Sequence, residues 1–144
     1  MERFSRIAHS ADAETTSLDL AALTENMTAM SQRRVALSDC RLEVQLPDGT
    51  ISVTANPLSL QCAMLSAIEL MLEYQERDTL ATIEVATQGN MAGITISGKA
   101  RGSDNDSLSD QIAEVSAIME VLQGTASASW ETGILSLTLT LPIH

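Results

Sequence analysis

The feature that most constrains the fold of this 144-residue chain is the arrival of β-strand patterns in pairs, with helical patterns between the pairs. In each pair, apolar and polar side chains alternate, as they do where a strand buries one face. The paired strands lie in residues 41–54, 80–98 and 125–142. Pairs of strands between helices predict an antiparallel or mixed sheet with about three helices on one face. The expected fold class is therefore α+β, a two-layer α/β sandwich.

Short turn sequences join the two strands of each pair. The words "PDG", "QGN" and "ETG" supply residues that favour a reversal of the chain. The turn sequence "PDG" joins residues 42–46 to residues 51–54, so these are predicted to be two antiparallel strands. The other two words predict hairpins in the same way. The earlier stretch "SLDL" is typical of a brief strand.

The first two predicted helices have different apolar patterns. The first starts at Asp19 and ends near Arg33 and Arg34, with an apolar stripe at Leu20, Leu23, Met27 and Met30. The second starts at Pro57, with Asn56 as its cap, and is apolar over most of its circumference, so it should be the most buried helix. Its polar residues form one stripe, which is either a residual groove or the wetter side of the helix: Ser59, Ser66, Glu69 and Glu73.

The third helix has the clearest pattern in the chain. One apolar stripe runs through Leu108, Ile112, Val115, Met119 and Leu122. Ser107 and Asp110 resemble a capping box at its start, and Gly124 is expected to end it. Core-like spacing also predicts buried methionines at Met27, Met30, Met64, Met71 and Met119.

Composition and charge exclude several classes of function. Aromatic residues make up only 2% of the chain, which argues against a surface that stacks nucleic-acid bases. A net charge of -11 repels phosphate backbones and anionic membranes, and favours a partner with a basic or metal-loaded face. The sequence has no signal-peptide pattern and no apolar run long enough for a membrane span. We therefore expect a cytoplasmic protein whose two cysteines, Cys40 and Cys62, are reduced thiols.

From about Thr16 onward, the order of elements resembles the ATP-binding catalytic domain of bacterial sensor histidine kinases, in the gyrase–Hsp90–kinase–MutL (GHKL) superfamily. The words "SLDLAALTENM", "VTANPLSLQCAML", "IMEVLQGTASAS" and "LSLTLTLPI" are similar to that family's segments in the same order. Residues 16–144 are accordingly interpreted as a histidine-kinase-like ATPase domain. Residues 1–15 are interpreted as the remnant of a helix and a linker.

The resemblance also places the family's first nucleotide-binding element on this chain. In the family, an asparagine on one helix helps to hold Mg²⁺ against the phosphates. The corresponding positions of the N-box fall on Ser66 and Leu70, and leucine has no oxygen to offer a metal ion. A shift of one residue brings Glu69 and Glu73 near this place, but it breaks the match at Leu60.

The two glycine-containing boxes depart from the family as well. The Asp-x-Gly-x-Gly box falls on Gly98, Ala100 and Gly102, so only its last glycine is kept. The second glycine box falls on Leu108, Ser109, Asp110 and Gln111, where Asp110 would repel phosphates. Three departures together imply a decayed nucleotide site, a pseudo-ATPase with no cofactor and no metal ion.

Few other residues offer chemistry. His9 could be a phosphoacceptor, but the residues after it lack the basic residue and proline of the kinase motif, so a solvated histidine is the better interpretation. His144 ends the chain, and neither histidine is expected to be catalytic or to bind zinc. Residues 99–107 occupy the place of the family's ATP lid. Lys99 and Arg101 there either contact a phosphorylated or acidic partner or belong to a solvated loop.

The leading hypothesis is a non-enzymatic adaptor in two-component or related bacterial signalling. The resemblance implies that its partner is a response-regulator receiver domain in a phosphorelay. The charge argues against nucleic-acid and membrane partners. A small fold with an exposed N-terminal helix could also form a homodimer. The alternative is a divergent ATP-binding catalytic domain of a sensor histidine kinase, which would bind ATP through substitutes such as Glu69 and Lys99. A third possibility is a regulator similar to an anti-sigma factor, which would capture a transcription factor.

Overall fold

A computed structural model describes residues 15–102 and 106–143 of the chain. Its elements follow in this order: β1 (Thr16–Asp19), α1 (Leu20–Leu37), β2 (Arg41–Gln45), β3 (Ser52–Ala55), α2 (Pro57–Tyr74), β4 (Leu80–Gln88), β5 (Met91–Lys99), α3 (Asp106–Val121), β6 (Thr125–Glu131) and β7 (Ile134–Pro142). The helix remnant expected before Thr15 lies outside the described residues. The brief strand expected at "SLDL" is confirmed as β1.

The main sheet has five strands in the order β2-β4-β5-β7-β6. Strand β2 runs parallel to β4, and the other neighbours are antiparallel, so the sheet is mixed. A second sheet pairs β1 with β3. Helices α1, α2 and α3 pack on one face of the main sheet. The expected α+β two-layer sandwich is confirmed, and so are the hairpins at "QGN" and "ETG".

The predicted pairing of β2 with β3 is wrong. Residues 46–51 separate these strands, which is longer than a tight two-residue hairpin turn. Strand β2 instead lies beside β4, with Leu42 opposite Ala81, and β3 lies beside β1. A parallel pair needs a long crossover, and the segment that contains α2 supplies it.

The inner face of α1 differs from its predicted apolar stripe. Asp19 caps the helix by accepting a hydrogen bond from the Ala21 N–H at 3.1 Å, and the helix continues to Leu37, beyond the predicted end. Met30 is 69% exposed, so its predicted burial is wrong. Three buried hydroxyls lie on the inner face, and each donates to the carbonyl four residues earlier at 2.8–2.9 Å: Thr24, Thr28 and Ser31. Because these hydroxyls are satisfied locally, they can be buried at little cost.

The ends of α2 and α3 match the predictions in part. The Asn56 side chain accepts from the Ser59 N–H at 3.1 Å and caps α2, as predicted. Helix α3 begins at Asp106, so Ser107 lies inside the helix and the predicted capping box is wrong. The helix ends at Val121, and Gln123, with φ of 62°, takes the left-handed conformation that terminates it. Gly124 serves a different purpose, because a Cβ atom there would lie 2.1 Å from the Thr140 carbonyl oxygen.

One hydrophobic core lies between the helices and the main sheet. Its centre is formed by alternate residues of β4, β5 and β7, and by the inner side of α2, which buries the most residues of the three helices. The opposite face of the sheet carries half-buried serines and threonines on β5 and β7. Within the described residues, no helix has the length and apolar character needed to cross a bilayer.

Candidate functional site

A cleft of about 250 Å³ lies between α2 and α3, where the resemblance places the nucleotide. Eight residues line it: Ser66, Glu69, Leu70 and Glu73 from α2, and Gln111, Glu114, Val115 and Ile118 from α3. Three of these residues are glutamates, and no lysine or arginine is among them. Glu69 is paired with Arg34, which lies outside this lining, so Glu73 and Glu114 contribute most of the negative charge of the cleft.

A hydrogen-bonded bridge, which we call the clasp, closes one end of the cleft. The clasp consists of Glu73, Tyr74 and Gln111. The Tyr74 hydroxyl donates to Gln111 Oε1 at 2.6 Å, and Gln111 Nε2 donates to Glu73 Oε2 at 2.6 Å. The ring of Trp130 meets the ring of Tyr74 edge-on, with 5.4 Å between their centroids. The clasp therefore joins α2 to α3 across space that a ligand in the cleft would use.

Of the two N-box positions, only Ser66 has a side-chain oxygen beside the cleft. Ser66 is half-buried in the cleft, and the Leu70 side chain is buried as part of the hydrophobic core. The substitutes in the shifted register are engaged elsewhere: Glu69 forms an ion pair with Arg34, and Glu73 belongs to the clasp. Among the described residues, no group of three histidine, cysteine, aspartate or glutamate side chains is placed to hold a metal ion.

The position of the adenine-binding aspartate is buried in the core. Gly98 lies near the end of β5, and a Cβ atom there would lie 3.0 Å from the Cβ of Ala81 and 3.5 Å from the Sδ of Met71. A side chain at this position would therefore need Ala81 on β4 to shift by a few tenths of an ångström, and its first atoms would lie within the core.

Ala100, at the first glycine position of the same box, is hydrogen-bonded to the backbone of another segment. Ala100 is buried, and its N–H donates to the Gly133 carbonyl at 2.9 Å. On either side of Ala100, the Lys99 carbonyl accepts from the Glu76 N–H at 2.8 Å, and the Arg101 N–H donates to the Tyr74 carbonyl at 2.7 Å. Of the three box positions, Gly98, Ala100 and Gly102, only Gly102 is exposed, and its φ is 82°. The backbone groups of this segment are therefore paired within the fold.

The residues compared with the second glycine box lie in the first turns of α3. Leu108 is buried in the core, and Asp110 is exposed on the first turns of α3. Ser109 is exposed as well, while Gln111 turns toward the cleft and forms the clasp. The structure therefore brings Ser66, Leu70 and Gln111 together in the cleft. It places Gly98, Ala100 and Leu108 in the core instead.

Solved structures provide the comparison for this arrangement. A histidine kinase from Burkholderia phymatum matches with a TM-score of 0.79 and 11% identity, over 99% of this chain and 77% of that one. The fold is that of a histidine-kinase catalytic domain. The catalytic domain of the kinase ThkA matches at 0.77 with 9% identity over 90% and 96% of the two chains. The Acinetobacter baumannii kinase AdeS matches at 0.77 with 16% identity over 91% and 68%.

These matches lie in structure and not in sequence. No protein-family model matches the sequence, and no curated protein matches it. At identities of 9–16%, the comparison establishes only that the fold is the one seen in histidine-kinase catalytic domains. The residues in the cleft must be interpreted from their own contacts, because fold and chemistry vary independently.

Two cleft residues on α3 were not predicted from the sequence. Glu114 and Ile118 line it from α3, and neither was singled out as a site residue. With Gln111 they follow at i, i+3 and i+7, so a helical wheel of α3 would have placed all three on one side. The partner of Gln111, Tyr74, carries no such signal, because the contact joins residues 37 positions apart.

The two cysteines are free and differ in environment. Cys40 is buried beneath the turn after α1, and its Sγ lies 3.4 Å from the Ser38 carbonyl oxygen. Burial raises the pKa of the Cys40 thiol, with smaller contributions from nearby charges. Cys62 is exposed on α2. His9 and His144 lie outside the described residues, and so do positions 103–105 of the segment compared with the ATP lid.

Proposed function

We propose that this chain is a non-catalytic adaptor that uses the histidine-kinase ATPase fold as a scaffold. Its partner is a response-regulator receiver domain in two-component or related bacterial signalling. The observation that carries the proposal is the cleft itself. It is lined by Glu69, Glu73 and Glu114, and the clasp closes one end of it. Such a cleft repels a nucleotide, whereas the sheet and helices around it still form a complete core.

The outer side of α1 supports a role in protein binding. Met30 and Leu37 are 69% and 79% exposed, and their spacing of seven residues puts them on one side of the helix. Arg33 is exposed on the same side. This stripe combines apolar and positive groups on a chain whose net charge is -11. The stripe offers a protein partner two exposed apolar side chains beside one positive charge.

A ligand-binding experiment tests the lost activity. Thermal melting of the full chain with and without Mg-ATP should give the same midpoint. If the chain bound nucleotide, a free nucleotide concentration ~100 times the dissociation constant would add about 2.7 kcal/mol to the free energy of unfolding. A histidine-kinase catalytic domain that binds ATP serves as the positive control. A clear rise in the midpoint would favour the alternative, an ATP-binding catalytic domain.

A second experiment tests the partner. Purified receiver domains are titrated against the chain, and at least one should bind with a measurable dissociation constant. The double substitution Met30→Ser and Leu37→Ser should weaken that binding about tenfold, since exposed apolar anchors carry most of an interface's energy. Leu58→Ser is the matched control, because Leu58 is 65% exposed on a different helix. Failure of every receiver, with capture of a sigma factor instead, would favour the anti-sigma-like regulator.

A further inference from the structure

The two edges of the main sheet are protected to different degrees. Edge strand β2 has charged side chains at Arg41 and Glu43, which discourage another strand from pairing with it. Edge strand β6 has the sequence "TASASWE", with no charge before Glu131 and no proline. Its register with β7 runs without a bulge over all seven residues. Edge strand β6 therefore lacks the features that usually block edge-to-edge pairing.

The outer edge of β6 has backbone groups to offer. Strand β6 pairs with β7 on one side, and no strand among residues 15–102 and 106–143 pairs with the other. The alternate N–H and C=O groups of an edge strand form a row that another strand can complete. Neighbouring side chains are small, with Ala126 and Ala128 toward the helices and Ser127 and Ser129 exposed on the open face. A second strand can approach this edge closely.

The residues of β6 also complement a second copy of themselves. An antiparallel pair centred on Ala128 sets Ser127 opposite Ser129 of the other copy and Ala126 opposite Trp130. In this register, all seven residues of β6 pair with residues of β6 in the second copy. The only charged side chain of the strand, Glu131, then lies opposite the uncharged Thr125. Two chains of net charge -11 can meet here without placing like charges against each other.

We propose that two copies of this chain pair through the outer edges of β6, antiparallel about a two-fold axis at Ala128. Two five-stranded sheets then become one continuous sheet of ten strands. The pairing is isologous, so it stops at the dimer and leaves the charged β2 strands at the outer ends. This interface does not involve the cleft between α2 and α3.

Two double variants of the full chain provide the test. Ser127→Lys with Ser129→Glu puts opposite charges across the two-fold axis in both cross-strand pairs. Ser127→Lys with Ser129→Lys puts like charges there, at the same two exposed positions. Sedimentation equilibrium across protein concentrations should show wild-type and Lys/Glu dimers. The Lys/Lys variant should dimerise at least about tenfold more weakly than the Lys/Glu variant, since directly opposed charges act on both pairs. Cooperative melting of each variant establishes that it is folded.

Hydrogen exchange gives a readout that needs no variant. Amides of Thr125–Glu131 that face the outer edge should exchange more slowly as the wild-type concentration rises, while amides of β2 should not change. A wild-type chain that stays monomeric at all concentrations would overturn the proposal. Equal dimerisation of the two variants would mean that the interface lies elsewhere, and loss of dimers in both would contradict the register centred on Ala128. Each of these two results would also overturn the proposed dimer.

Discussion

The core beneath the main sheet and the cleft between α2 and α3 contrast sharply, although α2 contributes to both. On its inner side, α2 keeps the apolar residues that the fold needs, and Leu60, Ala63 and Ala67 are fully buried. On the side facing α3, Glu69, Leu70 and Glu73 line the cleft. Packing restricts residues by volume and polarity, whereas a binding site restricts them by the ligand. A fold can therefore persist after its cleft has changed its chemistry.

The largest effect is expected from Gly124→Ala, at the junction of α3 and β6. Its Cβ atom would lie 2.1 Å from the Thr140 carbonyl oxygen, a backbone atom within the sheet. We expect the free energy of unfolding to fall by at least about 3 kcal/mol in chemical denaturation. Gly49→Ala is the control, since no atom lies within 4 Å of its Cβ position, and it should be neutral or slightly stabilising. Similar values for the two variants would contradict the close approach.

The next effect is expected from Gly98→Asp, which returns the family's carboxylate. The side chain would crowd Ala81 and Met71 and would be buried without a partner. We expect a loss of about 2–3 kcal/mol in unfolding free energy, and no shift in melting midpoint with Mg-ATP. Gly93→Asp in the same strand is the control, because its nearest neighbour would be 3.8 Å away. A gain of nucleotide binding would mean that only one side chain separates this cleft from a working site.

A smaller effect is expected from opening the clasp. Gln111→Ala removes hydrogen bonds to both Tyr74 and Glu73. The loss should be about 1–2 kcal/mol, measured by chemical denaturation. Asp110→Ala, at an exposed neighbouring position in α3, should change the stability much less. If both substitutions had the same effect, the clasp would not stabilise the contact between α2 and α3.

The smallest effect is expected at the ion pair between Arg34 and Glu69. Both side chains are more than half exposed, at 62% and 54%, so solvent screens their attraction. A double-mutant cycle with Arg34→Gln and Glu69→Gln should give a coupling of about 0.5 kcal/mol or less, and less again at high salt. Arg33→Gln, next in sequence and exposed, serves as the control. A coupling above about 1 kcal/mol would mean that Glu69 contributes to the fold more than its exposure allows.

The sequence predicted the features that depend on local pattern. Alternation in residues 80–98 and 125–142 located four strands and two hairpins, and Pro57 and Asn56 located the start of α2. Features that depend on distant partners were missed. The pairing of β2 with β4 follows from the crossover through α2 and not from the turn beside it. Met30 was misplaced because three satisfied hydroxyls share the inner face of α1 with apolar residues.

The positions compared with the family's boxes could be counted along the sequence, but their contacts in the fold could not. Counting from Pro57 located Ser66 and Leu70, and the structure places both beside the cleft. The count could not show that Gly98 lies against Ala81 and Met71, because that contact joins β5 to β4 and α2. The clasp could not be predicted from the sequence either, because it depends on the directions of side chains on two different helices. The sequence thus located these positions, and the structure showed which side chains surround them.

The parallel pairing of β2 with β4 also determines when the fold can form during synthesis. Strand β2 has no partner in the sheet until residues 80–84 leave the ribosome, and β4 joins the other strands through β5 and β7. The N-terminal half therefore cannot complete its core ahead of the C-terminal half. Such long-range closure slows folding and leaves apolar surfaces uncovered in the nascent chain. A chain released before β7 would lack the central leucines that seal the sheet, and it would be a substrate for chaperones.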